Sequence, residues 1–237
     1  MNPKPVIRLH LFFARDVPRA VILRQGPSKV YRMILWNTDN DIFEDGQWLR
    51  HKVYHERCSL SSDGKHFLYF AINGKWDSET EGSYTAISRP PYFTALALYP
   101  QGDTWGGGGV FVGNDLYIVN TYPDTKDIIG RAKDLTRAFQ VEPTDQIATG
   151  IVLADGRRAP LTRALRKQIL EGDDWHPPLD RYDTKGGVLY RRRGMEITPI
   201  RDFTDMSFEP IRAPYDDRSD EEELKPWHPV DQEEGKG

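Results

Sequence analysis

Short runs of apolar, strand-forming residues, separated by polar turn residues, fill the first half of the chain. Residues 30–36 (VYRMILW) form one such run, and the turn-forming stretch NTDND follows at residues 37–41. A strand–turn–strand pattern covers residues 57–72 (RCSLSSDGKHFLYFAI), and two further runs follow at residues 92–103 and 109–120. The pattern predicts antiparallel sheets in the N-terminal half, with tight hairpins between strands.

The second half of the chain has a different periodicity, which predicts two helices. One covers residues 125–139, where the apolar residues near helical spacing are Ile128, Ile129, Ala132, Leu135 and Phe139. The other covers residues 160–171, with Pro160 in its first turn, Gly172 after its end and an apolar stripe of Leu161, Leu165, Ile169 and Leu170. The predicted fold class is therefore α+β, mainly β, with residues 1–212 as a single globular domain.

The spacing of three glycines leaves an alternative fold open. Gly26, Gly64 and Gly102 stand 38 residues apart, and each follows an apolar residue by four positions. A period of about 40 residues is typical of β-propeller blades. The alternative prediction is a propeller-like all-β fold.

The charges of the chain are unevenly distributed. The formal net charge is −4, and from residue 213 onward nine acidic residues face three basic ones. Because such a composition buries little apolar surface, we expect residues 213–237 to be an acidic, flexible C-terminal extension. The body shows no concentrated basic face, which argues against a nucleic-acid partner.

Cysteine usage and the N-terminal sequence bear on location. Cys58 is the only cysteine, so an internal disulfide is excluded and a reducing compartment is indicated. Arg8 and His10 interrupt the apolar residues near the N-terminus, where neither a signal-peptide core nor a membrane span fits. The sequence predicts a cytoplasmic protein without membrane contact.

Two segments carry candidate anion-binding side chains. RQGPSK (residues 24–29) offers Arg24, Ser28 and Lys29, which suit a phosphate or a carboxylate, although an exposed hairpin turn explains the composition equally well. TAISRPP (residues 85–91) offers Ser88 and Arg89 as ligand-binding candidates, with Arg89 as an anion contact. Ser88 in the same segment lacks the Gly-x-Ser-x-Gly setting that a nucleophilic serine requires.

The third candidate segment is glycine-rich: GDTWGGGGVFV, residues 102–112. A strand follows the glycines instead of a helix, which excludes a Walker-type phosphate loop and a dinucleotide-binding fingerprint. Two interpretations stay open. In the first, successive amides of the run, including those of Gly107 and Gly108, form an anion nest helped by a nearby cation, with Asp103 and Trp105 as further ligand-binding candidates. In the second, the glycines permit a bulge or clear space for the Trp105 ring. The second interpretation is favoured.

No complete metal site is present in the sequence. His51, His55 and Glu56 could begin one, but no His-Glu-x-x-His pattern or further cluster completes it, so we expect neither a metal nor a cofactor. Four tryptophans lie beside turns in the β half, at Trp36, Trp48, Trp76 and Trp105. Each one fits core packing, and several at one edge would suit a flat ligand such as a base or a sugar.

The order of several motifs resembles that of a family of uncharacterised bacterial proteins. The motifs are RQGPSK, ILWNTDNDIFEDGQW, ERCSLSSDGKHFLYFA, NGKWDSETEGSYTAISRPPY and ALYPQGDTWGGGGVF, and the resemblance covers roughly residues 20–120. It implies a bacterial cytoplasmic origin and assigns no activity. Separately, LSSDGKHFLYFA (residues 60–71) is similar to the Ser-Pro-Asp-Gly-Lys strand unit of TolB-like propellers, with Ser62 in place of the proline.

Two functional hypotheses follow from these residues. The leading one is a non-catalytic binding module for a small anionic ligand or a protein partner, because no acid–base, nucleophile or metal set is assembled in the sequence. The alternative is an enzyme acting on a phosphorylated or nucleotide-like small molecule. That alternative requires Arg24, Lys29, Arg89 and Asp103 to converge in the fold.

Overall fold

The computed structural model of the chain describes residues 6–121, 125–140, 149–152, 158–160 and 175–216. Nearly all regular structure in these residues is β, arranged in four sheets. The helical segments among them are two 3₁₀ turns, His55–Arg57 and Leu179–Arg181. The mainly β fold with antiparallel sheets that the sequence predicts is confirmed.

Sheet A is an antiparallel meander in which each strand pairs with the next along the chain. Apolar residues occupy successive positions of its second strand, so that Val21 and Leu23 face one side and Ala20 and Ile22 the other. Sheet A is therefore apolar on both faces. Its strands are β1 (Arg8–Phe13), β2 (Arg19–Gln25), β3 (Tyr31–Asn37) and β4 (Ile42–Leu49).

Sheet B follows sheet A along the chain and has three long strands at its centre. Its strands are β5 (Lys52–Val53), β6 (Ser59–Leu60), β7 (Phe67–Ile72), β8 (Ser83–Ser88), β9 (Ala95–Pro100) and β12 (Ile129–Gly130). β5 and β6 both pair with β7, and β12 pairs with β9 at the opposite edge. All of these pairings are antiparallel.

Sheets C and D complete the described fold. Sheet C contains β10 (Gly109–Val112), β11 (Leu116–Val119), β13 (Thr136–Gln140), β14 (Thr149–Val152) and β15 (Arg158–Pro160). β11 and β13 are parallel, and the other pairs in this sheet are antiparallel. Sheet D is an antiparallel meander of β16 (Tyr182–Lys185), β17 (Val188–Arg193) and β18 (Glu196–Asp202).

Three apolar cores join the sheets in the spatial order D, A, B, C. Between A and B lie buried residues such as Leu23, Met33, Tyr69 and Tyr84. The other face of A packs against Leu189 of sheet D and Phe203 just beyond it. The other face of B packs against sheet C through residues such as Leu68, Ile87, Phe111 and Tyr117. Face-to-face packing of successive sheets thus buries both surfaces of A and B.

The helix that the periodicity predicts over residues 125–139 is wrong. β12 and β13 occupy this segment, where Ile129 pairs with Leu98 of β9 and Ala138 pairs with Ile118 of β11. Backbone pairing with open sheet edges outweighs the helical spacing of a few apolar residues, because propensity is a weak prior. For the predicted helix over residues 160–171, Pro160 ends β15, and residues 161–171 lie outside the described residues.

Residues 203–216 form an extended segment, here called the strap, that crosses the edge of sheets A and B. Its buried anchors are Phe203 and Ala213. Gln47 Nε2 of β4 donates to the backbone oxygen of Ile211 at 2.7 Å, and Tyr215 donates its hydroxyl to the backbone oxygen of Thr94 at 2.8 Å. The first residues of the predicted extension therefore contact the body. Residues 217–237 lie outside the described residues, so their flexibility stays a prediction.

Candidate functional site

Four connections meet at one end of the fold, which we call the glycine-loop end: the β2–β3 turn, the 3₁₀ turn His55–Arg57 and the loops at residues 73–82 and 101–108. His10 Nε2 lies 3.0 Å from Gln25 Oε1 beside the β2–β3 turn. The His10 ring also stacks on His55, with 3.7 Å between ring centroids. Arg57 Nη1 donates to the backbone oxygen of Gly106. These contacts bring the loops of sheets A and B together.

The backbone amides of the glycine loop are used within the protein. Gly106 donates to Asp103 Oδ1 at 2.9 Å, Gly107 to the Asn120 oxygen at 2.7 Å and Gly108 to Thr85 Oγ1 at 2.7 Å. An anion nest needs successive amides that point at one open position. These three point at three different internal acceptors, so the geometry supports the structural interpretation of the glycines.

Asp103 and Arg57 fix the shape of this loop from two sides. Asp103 Oδ1 also accepts the amide of Trp105 at 2.8 Å. Hydrogen bonds from the Gly106 amide and then the Trp105 amide lower the pKa of Asp103, with a further contribution from the Arg57 charge. Arg57 donates to the backbone oxygen of Thr104 at 3.2 Å and lies over the ring of Phe70. A loop held at both its amides and its carbonyls is rigid.

Trp105 projects from this rigid loop into solvent, with 90% of its surface exposed. Trp76 on the neighbouring β7–β8 loop is 51% exposed and lies against Gly82. The two loops are joined because Ser83 Oγ donates to the backbone oxygen of Asp103 at 2.5 Å. We call residues 73–82 and 101–106 the tryptophan rim. The rim combines two exposed indoles with a fixed backbone.

The candidate anion ligands of the RQGPSK segment do not form a site. Arg24 is buried, and its Nε and Nη2 donate to the backbone oxygens of Phe203 and Thr204 at 2.6 and 2.9 Å. Burial, and then the nearby Arg32 charge, lower the pKa of Arg24. Ser28 and Lys29 are exposed in the β2–β3 turn with φ values of 57° and 64°. Arg24 thus fastens the strap, and the other two residues build a turn.

Ser88 and Arg89 lie at the far end of β8 from the tryptophan rim. Ser88 is fully buried, and its Oγ has no hydrogen-bond partner among the described residues. Arg89 is exposed, and its guanidinium lies over the Tyr215 ring of the strap. Since Ser83 at the other end of the same strand contacts Asp103, the strand separates this pair from the glycine loop. The structure therefore brings together Asp103, Trp105, Gly107 and Gly108, but not the remaining candidates.

The histidines of the HKVYHE segment have different surroundings. His51 is buried, its Nδ1 lies 2.7 Å from the Tyr84 hydroxyl, and burial lowers its pKa to about 3. His55 is half-buried against His10. Sequence reasoning missed this pair, because residues on different sheets leave no spacing signal. Within the described part of the chain, no group of three or more His, Cys, Asp or Glu side chains is arranged to hold a metal ion.

Comparison with known proteins gives no functional assignment for this chain. No family model, curated protein sequence or solved structure matches the chain. Helices of the length and apolar character needed to cross a bilayer are absent from the described residues.

Proposed function

We propose that this protein is a non-catalytic binding module that holds a protein partner at the tryptophan rim. The observation that carries the proposal is Trp105, an indole 90% exposed on a loop fixed by internal hydrogen bonds. Large exposed aromatic side chains are enriched among the residues that dominate binding energy at protein interfaces. A rigid loop also limits the conformational entropy lost on binding. Both properties suit a preformed anchor.

The alternative function is an enzyme acting on a phosphorylated or nucleotide-like substrate. It depends on convergence of Arg24, Lys29, Arg89 and Asp103. The contacts of these residues do not support it, because Arg24 binds the strap and Arg89 lies beyond the opposite end of β8. The binding module is therefore the function that the geometry favours.

A propeller-like arrangement of the four sheets is part of the same proposal. Sheets A, B and C follow one another along the chain and in space, and sheet D returns to A. Strands β16, β1, β6 and β10 contact one another in that order, as strands next to a common axis do. In a propeller, successive sheets surround a central channel. An experimental structure with sheet C against sheet D would complete the ring, and one with C and D at opposite ends of a flat stack would contradict it.

The compartment we propose is the bacterial cytoplasm. The motif order described above supports a bacterial origin, and Cys58 as the single cysteine fits a reducing compartment. Fractionation of the source cells tests this: the protein is expected with cytoplasmic markers, and recovery with membrane or secreted fractions would contradict it.

Photo-cross-linking in the source cells tests the binding module itself. A photoreactive phenylalanine analogue replaces Thr104, the exposed residue before Trp105, in one variant and Met195, which is fully exposed in the β17–β18 turn, in the control. We expect a discrete cross-linked protein from position 104 and none of the same mass from position 195. The adduct should disappear when an excess of unlabelled parent protein competes and persist when the competitor carries Trp105→Ala. No adduct, or the same adduct from both positions, would contradict the proposal.

A further inference from the structure

The tryptophan rim is acidic as well as aromatic. Three exposed carboxylates lie on the β7–β8 loop: Asp77, Glu79 and Glu81. The Glu81 carboxylate reaches the neighbouring loop, where an added β-carbon on Gly102 would come 2.6 Å from its Oε2. The basic residue within the rim is Lys75, which is half-buried. The surface around the indoles is therefore negative.

A buried acceptor lies beneath the same loop. The Gln101 side chain is 6% exposed, and its Oε1 has no hydrogen-bond donor among the described residues. Its Nε2 faces the other way, toward Asp103 Oδ2 at 3.4 Å. Buried carbonyl oxygens in proteins are nearly always paired with a donor. This oxygen is enclosed by the protein and does not touch a surface ligand, but its unpaired dipole adds to the negative potential beneath the rim and disfavours phosphate or carboxylate oxygens there.

Besides Lys75, two basic side chains beside the rim, Arg57 and Lys52, contact other groups of the protein. The Arg57 guanidinium donates to the carbonyls of the glycine loop and lies over Phe70. Lys52 Nζ lies over the ring of Tyr54, 5.2 Å from its centroid. These cations are committed to aromatic faces and backbone oxygens within the protein. Arg57 and Lys52 therefore do not provide an anion-binding site at the rim.

From these observations we infer that the partner's contact segment is positively charged, and that one of its arginine or lysine side chains lies over the Trp105 indole. This inference rests on the proposed function and specifies the chemistry of the partner. The face of an indole attracts a guanidinium or ammonium group more strongly than other aromatic faces do. The carboxylates of Asp77, Glu79 and Glu81 give the rim a negative charge, which favours a cationic segment and selects against acidic and nucleic-acid ligands.

Binding of defined peptides to the full chain tests the inference. The probes are fluorescein-labelled: a dodecapeptide of alternating arginine and glycine, the same peptide with glutamate for arginine, and a twelve-nucleotide thymidine strand. Unlabelled maltohexaose serves as a neutral ligand, followed by tryptophan fluorescence. We expect the arginine peptide alone to bind, with an affinity that falls as salt rises from about 0.05 to about 0.5 M.

Variants locate the binding on the rim. Trp105→Ala should weaken the arginine peptide by roughly three- to thirtyfold, and Trp105→Phe by less, because a phenyl face attracts cations less strongly. Glu81→Gln should weaken it by roughly two- to fivefold and reduce the salt dependence. The matched controls are Met195→Ala and Glu196→Gln, an exposed apolar and an exposed acidic position on sheet D, which should leave the affinity unchanged.

The outcomes separate this inference from the proposed function. Trp105-dependent binding of maltohexaose, the glutamate peptide or the thymidine strand, without binding of the arginine peptide, would overturn the cationic partner and keep the binding module. Equal binding of the arginine peptide to the parent and to Trp105→Ala would overturn the site. If none of the probes binds in a Trp105-dependent way, the cationic inference fails. In that case a cross-link from position 104 alone would still support the binding module.

Discussion

Residues 107 and 108 have no room for a β-carbon. A β-carbon on Gly107 would overlap the ring of Phe70, and one on Gly108 would lie 2.5 Å from the backbone oxygen of Arg57. Both glycines also have positive φ values, 84° and 82°. Steric exclusion and backbone conformation thus act together at the base of the tryptophan rim.

Gly113 allows the two effects to be separated. It has a φ of 90°, but nothing lies within 4 Å of an added β-carbon. Gly113→Ala should therefore cost only the backbone term of about 1 kcal/mol in the free energy of unfolding. Gly107→Ala and Gly108→Ala should each cost about 1–3 kcal/mol more, as overpacked sites do. Urea denaturation measures the difference. Equal decreases in the free energy of unfolding at all three positions would contradict this prediction, because they would mean that the glycine loop relieves the steric overlap at no energetic cost.

His51 makes the protein sensitive to acid. Burial lowers its folded pKa to about 3, whereas an exposed histidine titrates near 6.5. Between these two pH values the unfolded state binds more protons than the folded state, so the free energy of unfolding falls as the pH falls. The contribution of this one residue approaches about 1.4 kcal/mol per pH unit within that window.

The His51→Gln variant isolates this contribution. Glutamine keeps a polar group near the Tyr84 hydroxyl but does not titrate. Burial also lowers the pKa values of His10 and His66, so the variant should retain a shallower dependence on pH. Denaturant unfolding at several pH values from about 4 to about 8 gives the slope of the free energy of unfolding against pH for the parent and for the variant. Parallel slopes for parent and variant would contradict this, because they would show that His51 titrates at the same pH in the folded and unfolded states.

The strap depends on one hydroxyl at its C-terminal end. The Tyr215 hydroxyl accepts the Arg89 amide at 3.1 Å and donates to the Thr94 oxygen at 2.8 Å. Tyr215→Phe should therefore lower the free energy of unfolding by about 1–2 kcal/mol. The control is Tyr92→Phe, since the Tyr92 hydroxyl makes only an exposed contact of 3.4 Å with Glu44 and should matter by less than about 0.5 kcal/mol. Thermal unfolding compares the variants, and similar losses from both would contradict the anchoring role.

Elements could be predicted from the sequence where local pattern and tertiary environment agree. The runs around β3, β7 and β9 are long, apolar and flanked by turns, so their strands follow directly. Residues 125–139 fail this test. Ile129 belongs to the apolar residues at helical spacing, but it pairs with Leu98 of sheet B, and Ala138 at the other end of the segment pairs with Ile118 of sheet C. No window of local sequence contains that information.

The candidate site likewise contains residues whose role follows from the local sequence and residues whose role depends on distant contacts. The role of Gly107 and Gly108 follows from the strand after them, which excludes a helix start. The fate of Arg24 could not be predicted, because the two carbonyls that it binds come from the strap, 179 and 180 residues later in the chain. An arginine beside a Gly-Pro turn has the same local sequence whether it binds a phosphate or a distant backbone. Only the fold distinguishes the two.

For the molecule as a whole, we expect the strap to be the last segment that contributes to stability. A protein ending at Asp216 should melt within about 2 °C of the full chain, because an acidic composition buries little apolar surface. A protein ending at Asp202 should be destabilised by several kcal/mol, because Phe203 leaves the core and buried Arg24 loses two acceptors. Calorimetry of both tests this. A large loss in the longer protein would place residues 217–237 in the folded body.

The strap also sets an order of events during synthesis. Arg24 leaves the ribosome 179 residues before the carbonyl of Phe203 that it will bind. At about 5–20 residues per second this interval is on the order of ten seconds. Throughout this interval the apolar face of sheet A that contains Ile22, Ile34 and Trp36 lacks residues that cover it in the folded protein. We therefore expect the nascent chain to bind chaperones until the strap has been synthesised, so that the rate of translation limits the rate at which the protein folds.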